Sequence, residues 1–389
     1  MTELSSAPAG DNLSASPPTG TAAATPAPPR RRVRDSALIR HLAITALAGV
    51  VLWLLSLWLT PFNDLRLANG AYYFVTLAGL TLLTGLSGQI SLGQGGLVAA
   101  GAYTSALLMA NNHWALIPAL VASVVVASLV GGLLGIAAAR LRGPYLAGAT
   151  LAFALALPGI TDRFAGTFGG ENGITTNAPV PPTSLGANFS PERWQAWIAC
   201  LAALVVLLLL LNLSRAGTGR TLRAVRDDEV AASLCGINVA RTQVTAFIVS
   251  AACAGVGGAL YVEISNLAAP DAFAVTLSLS LLAGVVLGGL GSLAGAVYGS
   301  IVLVLLPNWS TDLANDLSLN QQVSSNLPLA FYGLVLIIAM LAAPRGIQGV
   351  VLTVTRWLRS LRAGPPDTLT PAASTPGRID TDTSTGGEG

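Results

Sequence analysis

The 389-residue sequence contains no lysine; all 20 of its basic residues are arginine. A phosphate-binding P-loop needs its Lys, and so does a Schiff-base active site, so neither nucleotide hydrolysis of that type nor lysine imine chemistry can be carried by this chain. Charge of either sign is scarce. Only 10% of residues are charged while 53% are hydrophobic, against roughly 25% charged in an average soluble domain, which is the balance of an integral membrane protein. Metal ligands are nearly missing too. Cys200, Cys235 and Cys253 have no metal-ligand spacing, Cys200 and Cys253 lie inside apolar runs, and His41 and His113 are the only histidines. No metal site, no zinc and no nucleophile paired with a base is expected, which argues against an intramembrane enzyme. Nor is a nucleic-acid partner expected.

What is present is a succession of hydrophobic runs. Residues 1 to about 29 are rich in Pro, Ala, Ser and Thr, which cannot bury enough apolar surface to offset chain entropy, so residues 1–36 are expected to form a disordered cytoplasmic tail. Leu42 to Leu59 is long enough to cross a bilayer core of about 30 Å. Trp53, Trp58 and Pro61 do not resemble a small-residue cleavage site, so this run is expected to be a retained anchor. Nine further hydrophobic segments follow, at about 69–86, 95–110, 115–139, 143–160, 194–213, 244–262, 273–290, 293–307 and 327–343, each free of Asp, Glu and Arg in its interior. The Gly/Ala-rich segments near 95–110 and 293–307 are candidates for broken or re-entrant helices.

The arginines orient these spans. With ten alternating segments and a cytoplasmic N-terminus, 17 of the 20 arginines fall inside, leaving Arg66, Arg163 and Arg193 outside. One span more or fewer would put the central loop or a terminus on the wrong side. The expected fold is therefore an all-α membrane protein of about ten transmembrane helices with both termini cytoplasmic, a permease domain over 37–345 and a mostly disordered cytoplasmic tail over 346–389. Two outside loops stand out: 161–193, with its turn-prone Phe168 to Gly173, and 308–326, with Asp312 and Asp316. Each reads as a solvated connector or as a docking surface for an external partner.

The inside loop 214–243 is the most informative stretch. Good helix formers lie between Gly219 and Gly236, and Gly236 suits a helix C-terminal cap, which predicts one short cytoplasmic helix. Arg220 and Arg223 are followed by Asp227, Asp228 and Glu229, and Ala231 and Ala232 offer a small surface beside that charge. A second cluster spans Gly88 to Gly96, where four glycines are mixed with Gln89, Ser91 and Gln94. It can be a tight cytoplasmic turn, or a site of close helix approach whose amide and hydroxyl groups line a polar path. Leu287 to Ser292 is a second Gly-rich inside connection. Gly255, Gly257 and Gly258 give a small-residue face to the span after the central loop, and Glu263, Asn266 and Asp271 lie near that span's outer end.

Val230, Ala231, Ala232 and Gly236 resemble the Ala-Ala-x-x-x-Gly core of the loop by which permeases of bacterial ABC importers contact their ATPase. More closely, Gly219 to Glu229 leading into Gly236-Ile237-Asn238-Val239 resembles the branched-chain amino-acid permease family of LivM type. Gly85 to Gln94 with Gly101-Ala102-Tyr103-Thr104, Arg140 to Tyr145 with Thr150 to Phe153, and Pro344-Arg345-Gly346 are similar to further elements of that family, and the likeness covers roughly residues 70–350. Gln94 stands where the family usually has His, and Ala154 to Pro158 where it often has a polar residue, so the departures touch substrate identity rather than ATPase contact.

The resemblance implies a permease subunit of an ATP-driven importer for branched-chain or related amino acids in the bacterial inner membrane. Its implied partners are a second homologous permease subunit, separate ABC ATPase subunits that bind ATP and Mg, and an extracytoplasmic solute-binding protein; this chain would bind no cofactor and would not be an enzyme. It further implies ATPase coupling through Arg220, Arg223, Asp227, Asp228, Glu229, Ala231, Ala232 and Gly236. Gln89, Ser91, Gln94, Tyr103 and Thr104 are the candidate substrate pathway. Relatives that carry urea or short amides remain an alternative. So does an ATP-independent secondary transporter, against which stands the lack of ionisable residues within the spans.

Overall fold

Membrane helices have no hydrophobic force holding them together, because lipid tails are as apolar as leucine, so their contacts rely on small residues that let backbones approach. The helix Leu116–Ala138 shows the result: Ala119, Ser123, Ala127, Gly131 and Gly135 are buried at every fourth position, whereas Ile117, Leu129 and Leu133 are exposed. Its large side chains face lipid and its small ones face protein, the inverse of a soluble core.

The computed structural model describes residues 31–316, apart from 59, 113, 142, 178–180 and 183–188, together with 333–334, 337–338 and 346–362. Its helices are α1 (Arg31–Trp58), α2 (Pro61–Thr81, continued by a π-helical turn Leu82–Leu86), α3 (Gln94–Asn112), α4 (Leu116–Ala138) and α5 (Pro144–Arg163). A one-turn α6 (Ala165–Phe168) is followed by α7 (Pro191–Arg215), α8 (Gly217–Asp227), α9 (Glu229–Leu234), α10 (Val239–Ser265), α11 (Val275–Gly288), α12 (Leu293–Asp316) and a final helix α13 over Gly346–Arg362. Residues 1–40 separate from 41–389 as a contact unit of their own, in which only the start of α1 is described.

Seven described helices are long and apolar enough to cross a membrane. The expected spans at 95–110 and 293–307 are occupied by α3 and α12, while most of 327–343 lies outside the described residues. No break interrupts α3 over its 19 residues; the irregular backbone lies just before it, in the π turn and the segment 87–93. Helix α1 begins at Arg31, within the stretch 1–36 expected as tail, and a helix spans 346–362 within the stretch 346–389.

Within 41–389, α10 runs through the middle and packs on α4, α3 and α2. Its glycines are the contact points. A Cβ on Gly258 would lie 2.2 Å from the Val98 carbonyl oxygen, and one on Gly101 would lie 2.7 Å from Gly255 Cα, so α3 and α10 touch backbone to backbone.

The expectation that ionisable groups are missing from the spans is also corrected. Asp64 and Glu263 are 0% and 1% exposed, because α2 and α10 continue past the ends of their apolar runs and neighbouring helices cover the extra turns. Asp64 takes a salt bridge from Arg193 Nε at 3.1 Å and a hydrogen bond from Ser56 Oγ at 3.1 Å, and Ser56 accepts from Trp197 Nε1 at 3.0 Å. This ties α1, α2 and α7 at their outer ends. The opposite ends of α1 and α7 meet through His41 Nδ1 and Asn212 Oδ1, 2.8 Å apart.

The outer loop after α5 is more than a connector. Ile174–Thr175 pairs antiparallel with Leu267–Ala268, and Gly173, at φ 69°, passes so close that a Cβ would lie 2.2 Å from the Ala268 carbonyl oxygen. Phe168 stacks edge-on against Tyr103, their ring centroids 5.4 Å apart.

Candidate functional site at the cytoplasmic face

The loop between α7 and α10 folds as two helices rather than the single one expected. Asp228 has extended backbone angles, φ −159° and ψ 111°, which end α8, and its carboxylate then caps α9 by accepting from the amides of Val230 at 2.8 Å and Ala231 at 3.0 Å. A side-chain oxygen that satisfies the free amides of a first turn starts a helix, and its negative charge suits that end of the dipole. The far end of α9 closes on Gly236 at φ 81°, with Gly236 N–H donating to Ser233 O and Ile237 N–H to Ala232 O, the paired bonds of a Schellman cap.

Packing fixes this hairpin against the bundle. Leu222 and Val225 of α8 are 1% and 2% exposed, and Glu229 Oε1 accepts from Gln243 Nε2 of α10 at 3.0 Å. Arg223 reaches back to the Ser214 carbonyl oxygen at 2.8 Å, while Arg220 and Asp227 are exposed. Ala232 is buried, so it belongs to the hairpin's own packing and not to its outer surface. The apolar side chains left facing outward are instead Val230 at 69% and Leu234 at 84% exposure, with Ala231 beside them. Sequence reading named Val230 only as part of the Ala-Ala motif and missed Leu234, because that motif drew attention to its small residues.

Above the hairpin, Ser87, Gly88, Gln89 and Ile90 face Val225, Arg226, Asp227, Asp228 and Glu229 across an open cleft of about 570 Å³. Gln89 is buried there, and neither its amide nitrogen nor its oxygen has a hydrogen-bond partner. Two residues missed by sequence reasoning hold the segment leading into α3. Thr150 Oγ1 accepts from Leu92 N–H, and Ser278 Oγ accepts from Gly95 N–H, each at 3.0 Å. Thr150 opens the Thr-Leu-Ala-Phe element, so the motif was visible although its partner was not.

Of the five expected pathway residues, Gln89 borders this cleft and the other four are placed as follows. Ser91 Oγ accepts from Gly93 N–H at 3.3 Å within its own turn, and Thr104 Oγ1 donates to Ala100 O one turn back at 2.7 Å. Gln94 is fully buried, with Oε1 accepting from Ser250 Oγ of α10 at 3.2 Å and its nitrogen unpartnered. Tyr103 lies nine residues further along α3, about 13 Å at 1.5 Å per residue, with its ring against Phe168 and Phe273 and its hydroxyl unpartnered. The chain thus carries buried polar groups at the inner cleft, at the α3–α10 contact and beneath the outer loop.

The sequence profile of the family described as "Branched-chain amino acid transport system / permease component" matches residues 65–340. Among curated relatives, the high-affinity branched-chain amino acid transport system permease protein LivM of Escherichia coli is 32% identical over 322 residues, covering 75% of this chain and 70% of LivM. The Salmonella typhimurium LivM is 31% identical with the same coverage. LivH of E. coli, a permease protein of the same description, is 25% identical over 305 residues, covering 74% of this chain and 94% of LivH. No solved structure shows a significant match.

Proposed function

Because the chain belongs to the family of permease components of branched-chain amino acid transport systems, we propose that it is one of two homologous permease subunits of an ATP-driven importer, moving branched-chain amino acids supplied by an extracytoplasmic solute-binding protein. Its likeness to both LivM and LivH supports a paired partner of similar fold, with LivM the nearer in identity. The ATP and Mg sites belong to separate ATPase subunits, in keeping with a sequence that lacks the Lys of a P-loop.

The observation that carries this reading is the α8–α9 hairpin. Its helix α9 is capped at both ends and the hairpin is packed on the bundle, yet it leaves Val230 and Leu234 exposed. Apolar residues on a rigid cytoplasmic knob, next to Asp227 and Glu229, suit insertion into a groove of a partner rather than solvation. ATP binding would favour the permease conformation that the seated hairpin fits better, and the coupling is limited to that difference in contact energy.

The test is Leu234→Glu in the assembled transporter, where a charge in the apolar contact should reduce ATPase co-purification and leucine uptake by at least tenfold while membrane insertion persists. Uptake within twofold of the unaltered protein would exclude the docking role.

A further inference from the structure

Arg226 lies in the family-like stretch Gly219 to Glu229 but was not among the expected coupling residues, and its side chain leaves the hairpin. Nη1 donates a hydrogen bond to the Gly85 carbonyl oxygen, in the π turn that ends α2. The last carbonyls of a helix have no partner within it, and a guanidinium supplies a charge-assisted donor there. Three glycines border this contact, Gly88 giving the guanidinium arm its room. A Cβ on Gly88 would lie 3.0 Å from Arg226 Cγ, and one on Gly291 would lie 3.7 Å from Nη1. Gly85 itself presses on Gly291, where a Cβ would come within 2.3 Å of the backbone.

Gly85 and Gly88 belong to the connection between α2 and α3, and Gly291 to the one between α11 and α12. Arg226 therefore lies where both Gly-rich inside connections meet the coupling hairpin, and it borders the cleft that holds the unpartnered Gln89. Arg226 is part of α8, and its neighbour Val225 is buried against the bundle. The contacted element is a π turn, an irregularity that recurs at functional sites.

We propose that Arg226 is the positioning residue that transmits movement of the ATPase-bound hairpin to the π turn Leu82–Leu86, and through the Gly85–Gly291 contact to the α11–α12 connection. This rests on the reading of the hairpin as the ATPase contact. Arginine suits the role because it stays charged and spreads its donors in a rigid fork, so it grips a carbonyl at the end of a long arm with less loss of order than lysine.

The experiment uses Arg226→Gln and Arg226→Lys in the complete transporter, reconstituted with its ATPases and binding protein, and measures ATPase co-purification, ATP hydrolysis and leucine uptake on the same samples. The expected result for Arg226→Gln is retained co-purification, hydrolysis within about threefold of the unaltered complex, and uptake lowered at least tenfold, so that more ATP is spent per leucine. Arg226→Lys should recover part of the uptake. Uptake within twofold for the Gln variant would overturn the proposal. So would joint loss of co-purification and uptake, which would make Arg226 part of the docking surface, or failure of both variants to insert, which would make the contact structural. A null result for Leu234→Glu alone would sink the docking reading instead.

Discussion

Replacing Gly258 with alanine tests whether close backbone approach holds α3 to α10. The added carbon would lie 2.2 Å from the Val98 oxygen and 2.5 Å from the Ala102 nitrogen, so α3 must retreat by about 1 Å to restore ordinary contact, which loosens the packing along both helices. Both obstacles are backbone and cannot rotate away. Overpacking of this kind costs about 1–3 kcal/mol. Gly148, in α5, has nothing within 4 Å of a Cβ, so Gly148→Ala should give the ordinary helix gain of about 0.5–1 kcal/mol. The two substitutions should thus differ by about 1.5–4 kcal/mol, the difference being safer than either value alone. Equilibrium unfolding of the purified permease by SDS titration in one mixed-micelle system measures both. Equal stability for Gly258→Ala and Gly148→Ala would refute the argument, because the same chemical change would then be indifferent to what surrounds it.

Other outcomes follow from single contacts. Asp228→Ala removes the acceptor of two α9 amides and should cost about 1 kcal/mol of local helix stability, seen as roughly fivefold faster hydrogen exchange over 229–235, with Asp228→Asn close to the parent. Arg193→Gln leaves Asp64 buried without its ion-pair partner; because Arg193 is 26% exposed, about 3 kcal/mol of destabilisation is expected in the same SDS titration, near the low end for a broken buried pair. Adding Asp64→Asn should recover most of it, since a neutral amide needs no counter-charge. Thr150→Val deletes the acceptor for Leu92 N–H and should lower stability by about 1–3 kcal/mol, the cost of leaving a partly buried donor unmet; Thr150→Ser, which keeps the oxygen, should sit much nearer the parent.

The sequence made some of this legible and hid the rest for physical reasons. Apolar runs locate nearly every described span, because length and composition alone decide whether a helix can cross lipid. Gly236 announced a helix end, since only the left-handed region lets the chain turn off in that way. The break at Asp228 was hidden because the same short carboxylate is tolerated within a helix or caps one, and only tertiary packing decides which. Glu263 read as a residue near a span's outer end and Asp64 fell between two expected spans, because hydropathy measures what lipid would tolerate, whereas both are covered by protein. The Arg226–Gly85 contact joins residues 141 apart in sequence, and no local pattern carries such a pairing.

The bonds around Asp64 have a mechanical consequence. Helices α1 and α7 are tied at both ends, by Trp197 with Ser56 and by His41 with Asn212, whereas the Asp64 bonds that tie α2 to them lie at its outer end. The first two helices therefore act as a strut beside α2, which α10 and α12 also pack against. Any tilt of α2 is shared with those helices, and with its first turn tied through Asp64 the travel would be smallest there and largest at the π turn, where Arg226 holds on.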